Sequence, residues 1–499
     1  MRRFRLSKLA DFLVVKNMQG DTDRQICGIS YDSRKVKPGY IFFCLKGVKD
    51  DGHNYIEDAV KNGAAAVVVE RDVEVKGTTR ILVPDTRLAL AALSSYYYGF
   101  PSSRLRLIGV TGTNGKTTTS HLIDAVLAKK AKVTGLLGTI RYRIGRESLP
   151  VIATTPEASD LQAMLAYMVE KGAKYATMEV SSHALQLQRV VGCEFDIAVL
   201  TNITEDHLDF HKTFADYFSA KGKLFSQLGS FVKSGCRKYA VINRDDQNFS
   251  KIANLTTAQI ITYGLHETAD VRGEIISLNN SGAVFKVLSF AGETILRLKM
   301  SGLFSVYNAL AAFTLGLLEG VSSMKIKEAL EAIEGIPGRF EMIYAGQDFL
   351  VIVDYAHTPD GLENVLRTVN EFAQGEIITV FGCGGERDES KRPLMGKIAG
   401  KYSDYCFITN DNPRREDPER IVQQILSGIK TVMPPTKYKV VLDRYQAISE
   451  AITRANTNDV IVIAGKGHEN IQVFYDRCIP FNDRRVAMEI IKKMLQIGV

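Results

Sequence analysis

The chain has 499 residues, which at roughly 150 residues per domain predicts about three domains. Hydrophobic residues make up 45% and charged residues 24%, a globular balance that excludes a disordered chain. Lys and Arg number 63 against 56 Asp and Glu, a net charge of +7 with no long basic run, which speaks against nucleic acid as partner and suits a small polyanion drawn into a basic cleft.

Seven cysteines, at 27, 44, 193, 236, 383, 406 and 478, are odd in number and contain no C-x-x-C pair. This argues against a disulfide framework or a structural zinc and for reduced thiols in the cytoplasm. No apolar stretch reaches the roughly 18 residues of a membrane span. The basic start is followed by an apolar stretch that Lys8, Asp11 and Lys16 interrupt, so it reads as a first amphipathic helix rather than a signal peptide.

Taken in chain order, residues 1–98 mix short strands (Ala64 to Glu70, Thr79 to Val83) with a helix from Thr86 to Tyr98. Gly99-Phe-Pro-Ser-Ser103 breaks the pattern as a linker. The second segment, 99–335, opens with a buried strand, Leu105 to Val110, then a Gly-rich turn and a helix from about Lys116. Strands at Tyr175–Glu179 and Asp196–Leu200 alternate with helical periodicity such as Leu161 to Lys171, the pattern of a parallel sheet with crossover helices. A β-rich insert from about Ala258 to Met300 precedes a helix at Val306 to Gly320. Beyond Gly335-Ile-Pro-Gly338 the segment 336–499 repeats the alternation, with strands at Leu350–Val353, Ile377–Phe381, Tyr405–Ile408 and Val460–Ala464. The expected fold class is α/β in three domains: a smaller N-terminal α/β domain, a central P-loop-type parallel-sheet domain, and a C-terminal Rossmann-like domain. In such sheets ligands sit at the carboxyl ends of the strands, and the motifs fall there.

The strongest local signal is G-V-T-G-T-N-G-K-T-T, from Gly109 to Thr118. Backbone N–H groups opening a helix cradle phosphate, Lys116 would meet the β and γ phosphates, and the Thr117 hydroxyl would ligate Mg²⁺. The common P-loop pattern is not fully met, because Val110 stands where its first Gly belongs. Glu179 and His207 end neighbouring strands, where a carboxylate and an imidazole can share a divalent ion or merely cap helices. His207 and His211, four apart, imitate a zinc pair but lack a suitably spaced third ligand. The third segment adds D-Y-A-H-T-P from Asp354, G-C-G-G-E-R-D from Gly382, D-N-P-R from Asp411 and G-K-G-H-E from Gly465. Singly each reads as well as a turn. Together they place Arg, Asp, Glu and His around one crevice suited to a zwitterion bearing carboxylates.

The succession G-T-N-G-K-T-T, M-E-V-S-S-H, T-E-D-H-L-D, A-K-x-x-L-F, Y-N-A-L, G-R-F-E, D-Y-A-H-T-P, G-C-G-G-x-R-D and G-K-G-H-E resembles the Mur ligases, and the resemblance runs from Asp32-Ser-Arg34 to about Arg485. It implies an ATP- and Mg²⁺-dependent, ADP-forming acid–amino-acid ligase of peptidoglycan precursor synthesis. ATP would phosphorylate the D-glutamyl carboxylate of UDP-N-acetylmuramoyl-L-alanyl-D-glutamate, and the amine of an incoming amino acid would displace phosphate. The three small-molecule substrates would be the partners of a monomer that is not inserted in a membrane.

The resemblance also implies roles. Lys116, Lys221 and His207 would be catalytic, and Lys221 would be carbamylated and serve a metal site with Thr117, Glu179 and His207. ATP would be held by Gly112, Thr113, Asn114, Gly115, Lys116, Thr117, Thr118, Asn308, Arg339, Asp354 and His357. Ser33, Val48, Lys49, Asp50, Thr154, Thr155, Ser181 and Arg189 would bind the UDP-muramyl-dipeptide, with Leu187 standing where some relatives carry Gln. Arg387, Asp411, Asn412, Pro413, Arg414, Gly465 and Glu469 would hold the amino acid. Arg414 favours meso-diaminopimelate, whose distal carboxylate a guanidinium would grip, over L-lysine, whose ammonium it would repel. A lysine-adding relative and a folylpolyglutamate-synthetase-like ligase are the alternatives. A non-enzymatic P-loop switch is disfavoured by the third segment's motifs.

Overall fold

A computed structural model describes residues 3–47, 50–229 and 236–497. It contains three principal sheets in chain order. The first has five strands, ordered Asn17–Gln19, Thr79–Leu82, Ala66–Val69, Tyr40–Phe43, Gly28–Ser30, parallel except for the first pair. The helix Thr86–Tyr97 covers it, its first turn capped by Asp85, whose side chain accepts from the Leu88 N–H.

The second sheet has eleven strands. Its parallel centre runs Thr134–Leu137, Tyr175–Glu179, Arg106–Thr111, Ile197–Leu200, Tyr239–Asn243 and Gln259–Gly264. These strands are nearly continuous apolar runs because helices bury both faces. The chain leaves Arg106–Thr111 toward one side of the sheet and later returns on the other with Ile197–Leu200. The phosphate-loop motif therefore opens at the point where strand order reverses, the usual place for a ligand crevice. The expected β-rich insert is not a separate unit. Its strand Gln259–Gly264 joins the parallel centre, and Val271–Asn279, Gly282–Ser289 and Gly292–Leu298 prolong the same sheet. Helices Leu303–Leu318 and Ser323–Glu331 close over it, the second lying along Gly292–Leu298.

The third sheet runs Glu341–Ile343, Leu350–Asp354, Val460–Ala464, Ile377–Phe381, Tyr405–Ile408, Tyr438–Val440, parallel except for the first pair. Thr358 caps the helix Pro359–Asn370 by accepting from the Gly361 N–H, and Pro359 supplies the fixed φ of its first turn.

The N-terminal amphipathic helix is shorter than the apolar spacing implies. It spans only Leu6–Ala10, behind a two-residue strand, Phe4–Arg5. Leu6 and Leu9 are buried, but Val14 and Val15 stand in solvent, because the chain turns away into the edge strand Asn17–Gln19. Among the described residues no helix is long and apolar enough to cross a membrane.

Candidate active site

The helix Lys116–Leu127 begins without a side-chain cap; its cap residue is Gly115, at φ 82°. An uncapped N-terminus leaves N–H donors and the positive end of the helix dipole for an anion. Two glycines shape the cradle. A Cβ at Gly112, φ 150°, would run into Thr201 Oγ1, and one at Gly115 would stand 2.5 Å from Asn308 Oδ1. Thr113 Oγ1 donates to Thr204 O over 3.0 Å and Asn114 N to Asn202 Oδ1 over 2.9 Å, so the strand-end residues 201–204 hold the loop's shape. Asn308, on Leu303–Leu318, accepts from Thr119 Oγ1 over 3.0 Å. Thr118 is buried in the first helical turn.

Lys116 Nζ folds back onto the loop, 2.9 Å from Gly112 O and 2.8 Å from Thr113 O. Burial pushes its pKa down, opposed by Glu179 and Asp206. Lys221, on the helix Phe214–Ser226, is 1% exposed and donates to the same Gly112 O over 2.7 Å. It is therefore no surface lysine. One carbonyl and the ring of Tyr217, 4.6 Å away, do not replace the hydration of an ammonium. Burial first and then the charge of Lys116 hold the Lys221 pKa well below the ordinary lysine value.

Glu179 is wholly buried at its strand end. Its carboxylate accepts from Thr117 Oγ1 at 2.9 Å, Thr139 N at 2.8 Å and Thr139 Oγ1 at 3.0 Å. His207 takes a left-handed conformation, φ 56°, with Nε2 3.3 Å from Asp206 Oδ2. Burial lowers its pKa to about 3, so its ring is a neutral, ligand-competent imidazole. The His183 ring packs edge-on at 4.7 Å, its own pKa lowered to about 4 by burial. His211, read in sequence beside His207, is buried with its Nε2 unpartnered.

The third sheet reaches the same place. Arg339 donates to Thr117 Oγ1 over 3.1 Å and lies over the Tyr355 ring at 4.5 Å. Asp354 fixes the turn carrying Arg339: its carboxylate accepts from Phe340 N at 2.6 Å and Ala356 N at 2.7 Å. Burial raises its pKa while Arg339 opposes. His357 sits between Tyr355 O, 2.9 Å from its Nδ1, and Lys391, whose Nζ donates to His357 O over 2.8 Å; burial lowers its pKa. Asp360, a residue that sequence patterns did not single out, accepts from Asn114 Nδ2 at 2.6 Å and Thr204 Oγ1 at 3.3 Å.

Two flanking groups complete the picture. Thr155 Oγ1 donates to Glu179 O over 2.9 Å and pairs with Ser181, which caps the helix Ser182–Gln186; Thr154 meets Thr139 at 3.1 Å. Arg189 donates to Thr155 O and to Glu157, each over 3.2 Å. Tyr31 OH reaches Asp160 Oδ2 at 2.7 Å, joining the first sheet's loops to this side. Ser33 O accepts from Asn62, and Asp50 O closes a turn on Gly47 N. Val48 and Lys49 lie outside the described residues.

On the far side, Arg414 and Arg387 flank Gly384, whose added Cβ would stand 3.0 Å from Arg414 NH1 and 3.7 Å from Arg387 Cγ. Arg414 has φ 55° and donates to Gly385 O over 2.7 Å. Burial and then Arg387 push its pKa down, opposed by Asp411, Glu469 and Glu386. Asp411 and Gly465 adjoin, with Asp411 Oδ2 2.7 Å from where a Gly465 Cβ would be; Pro413 O lies against Gly385. Asn412 Nδ2 donates to Glu469 Oε2 over 2.8 Å. Beneath them Lys466, fully buried, gives its three N–H bonds to Asn412 Oδ1, Glu469 Oε2 and Ile471 O. The G-K-G triplet reads in sequence as a solvated loop. Only the paired acceptors reveal Lys466 as the floor of the pocket.

This architecture defines a class: an α/β protein in which the Gly-rich turn before the helix Lys116–Leu127 is met by side chains from around the third sheet. The Mur ligase models match in three blocks, the family's catalytic domain at 25–98, its middle domain at 110–316 and its glutamate ligase domain at 338–467. A protein of Syntrophomonas wolfei named UDP-N-acetylmuramoyl-L-alanyl-D-glutamate–2,6-diaminopimelate ligase is 46% identical over 98% of this chain and 99% of its own. The protein of that name from Geobacillus thermodenitrificans is also 46% identical, over 98% of both chains. A solved structure with the same name matches 97% of this chain and 99% of its own at 33% identity and a TM-score of 0.66. The chain belongs to the Mur ligase family.

Proposed function

We propose that this protein is an ATP-dependent, ADP-forming amide ligase that adds meso-diaminopimelate to UDP-N-acetylmuramoyl-L-alanyl-D-glutamate. The observation that carries the substrate choice is the Arg414 guanidinium at Gly384, with Asp411 and Glu469 nearby and Arg387 at the exposed rim: a guanidinium for a carboxylate and acidic groups for an ammonium. In this reading residues 1–98 hold the UDP end through Ser33 and the 47–52 loop, residues 99–335 hold ATP, and residues 336–499 hold the amino acid.

Among the described residues no group of three or more His, Cys, Asp or Glu side chains is arranged to hold a metal ion by itself. Thr117 and Glu179, 2.9 Å apart at the loop, are instead an oxygen-donor set of the kind that holds Mg²⁺ together with substrate phosphates. His207 and a carbamate on Lys221 would serve a second position. Bound there, Mg²⁺ would neutralise charge on the transferring phosphoryl group.

The chain's own residues account for the rest. The D-glutamyl carboxylate attacks the γ-phosphorus, and ADP leaves. Lys116 exchanges its contacts with the Gly112 and Thr113 carbonyls for phosphate oxygens, and Arg339 adds a second cation from the opposite domain. Thr155, Ser181 and Arg189 position the muramyl-peptide arm so that its carboxylate faces the loop. An amine of the amino acid, delivered from the Arg414 pocket, attacks the acyl carbon. The amide C–N bond forms, the C–O bond to phosphate breaks, and the amine proton is lost. Burial lowers the Lys221 pKa and so favours the neutral amine, the form that adds CO₂.

Phosphate release with ATP and UDP-N-acetylmuramoyl-dipeptide, comparing meso-diaminopimelate, L-lysine and no amino acid, and in a parallel arm with ATP, folate and glutamate, tests this. Release that depends on meso-diaminopimelate is expected. Release only with L-lysine, or only with folate and glutamate, would replace the reading by one of its alternatives.

A further inference from the structure

We propose that Arg87 is a positioning residue for the UDP-muramyl-dipeptide: it aligns Arg189 through a shared carboxylate and ties that side of the cleft to the backbone at Lys46. The inference rests on the reading above of Thr154–Arg189 as the muramyl-peptide side.

Arg87 lies in the first turn of Thr86–Tyr97. Its NH1 is 3.1 Å from Glu157 Oε2, and the Nε of Arg189 is 3.2 Å from that same oxygen. All three side chains are largely buried, Glu157 to 10% exposure. The other Arg87 nitrogen, NH2, donates over 3.0 Å to Lys46 O, in the loop whose Lys46 and Asp51 pair across an antiparallel bridge. Arg189 NH1 is turned to Thr155 O, and Thr155 in turn touches Glu179 and Ser181. One guanidinium thus connects Lys46, the Glu157 cap of the helix Ala158–Glu170 and, through that carboxylate, Arg189.

A second, independent link runs parallel. Gln188, left-handed at φ 58°, donates to Asp85 Oδ2 over 2.8 Å. Neighbouring residues 85 and 87 therefore grip neighbouring residues 188 and 189. Two guanidiniums share one carboxylate oxygen, so Glu157 alone does not fully pair either cation. Such a pair is stable empty and gains when a substrate anion arrives. Arg suits position 87 because its planar fork addresses two acceptors in different directions, which one ammonium does less well.

The test uses the full chain. Binding of UDP-N-acetylmuramoyl-dipeptide is titrated without ATP, and KM for each substrate, kcat and Tm are measured for wild type, Arg87→Ala, Arg87→Lys, Glu157→Gln and the Arg87→Ala/Glu157→Gln double variant. Arg87→Ala should raise Kd and KM for the UDP-substrate about 10- to 100-fold, the effect of losing a charge-assisted contact. KM for ATP should stay within about twofold. Arg87→Lys should lie between. In the Glu157→Gln background the Arg87→Ala effect should shrink severalfold, because the shared oxygen has lost its charge. The inference is overturned if wild type binds the UDP-substrate and Arg87→Ala and Arg87→Lys bind it equally well, or if both KM values rise together with a fall in Tm. If wild type does not bind the UDP-substrate, the functional reading itself fails.

Discussion

Replacing Arg414 by Ala removes the guanidinium that faces Gly384 and leaves Arg387, whose Cγ lies on the other side of that glycine. The pocket floor should survive, because Lys466 holds Asn412 and Glu469 from below through contacts that do not involve Arg414. The left-handed backbone at residue 414 is held by its N–H to Val473 O, 3.0 Å, which the substitution leaves in place. The change is therefore local. Breaking a buried Arg–carboxylate contact costs about 2–5 kcal/mol. Arg387 remains beside the vacated space and retains part of the attraction, so the loss should fall at about 2–4 kcal/mol, or roughly 30- to 900-fold in kcat/KM for meso-diaminopimelate. KM for ATP should not move, since the phosphate loop lies across the cleft. Lysine activity need not appear, because Arg387 still opposes a distal ammonium. The assay is amino-acid-dependent phosphate release with each amino acid, for wild type and variant. Undiminished meso-diaminopimelate preference in the variant, or equal use of L-lysine by wild type, would refute the assignment.

Lys116→Ala should lower the ligation rate about 10³-fold or more by removing the cation from the transferring phosphoryl group; near-normal single-turnover rates would sink the phosphate-site assignment. Lys221→Ala should be nearly inactive and partly rescued by added formate or acetate, and mass spectrometry of the native protein in bicarbonate should find 44 Da on the peptide of Lys221; full activity in the variant would contradict it. Asp360→Ala frees Asn114 and Thr204 from the third domain, and X-ray scattering should show a more open particle than wild type, with the difference reduced by ATP analogue and UDP-substrate together; superimposable profiles would count against a latch. His183 and His207, held by burial at about 4 and about 3 against an ordinary 6.5, are neutral when folded but take up protons when unfolded below about pH 6.5. Their contribution is complete above that pH and is lost as pH falls toward 4, so the urea midpoint should drop across this window and His183→Gln should flatten the drop.

The parts of this architecture that sequence made legible are those written in short-range pattern. Tyr175–Glu179, Ile377–Phe381, Tyr405–Ile408 and Val460–Ala464 form as expected, because a central parallel strand needs a continuous apolar run and ends where a polar residue enters the cleft. The Gly-rich turn between Arg106–Thr111 and Lys116–Leu127 is legible for the same reason: its glycines, lysine and threonine are adjacent in the chain. The N-terminal helix was overread, since apolar spacing does not say where the chain turns away to become a sheet edge. Asp360 was invisible because its partner Asn114 lies 246 residues away, and a capped helix start with an acidic residue needs no such partner. Thr139 was missed likewise. Its two bonds to Glu179 come from a loop with no motif, and nothing in the local residues separates it from any other threonine after a strand.

The long central sheet ends on Gly292–Leu298, a strand with one side unpaired. Free N–H and C=O groups on such a strand are a template for a second molecule. Here the helix Ser323–Glu331 occupies that side. Glu331 Oε1 accepts the Arg297 N–H at 2.8 Å, and Lys327 Nζ donates to Ile295 O at 2.7 Å. Two side chains one helical turn apart thus stand in for a neighbouring strand, and their own ion pair at 3.3 Å keeps them in register. The hairpin that lengthens the sheet thus carries its own stopper on this edge, where a second chain finds two of the strand's backbone groups already taken.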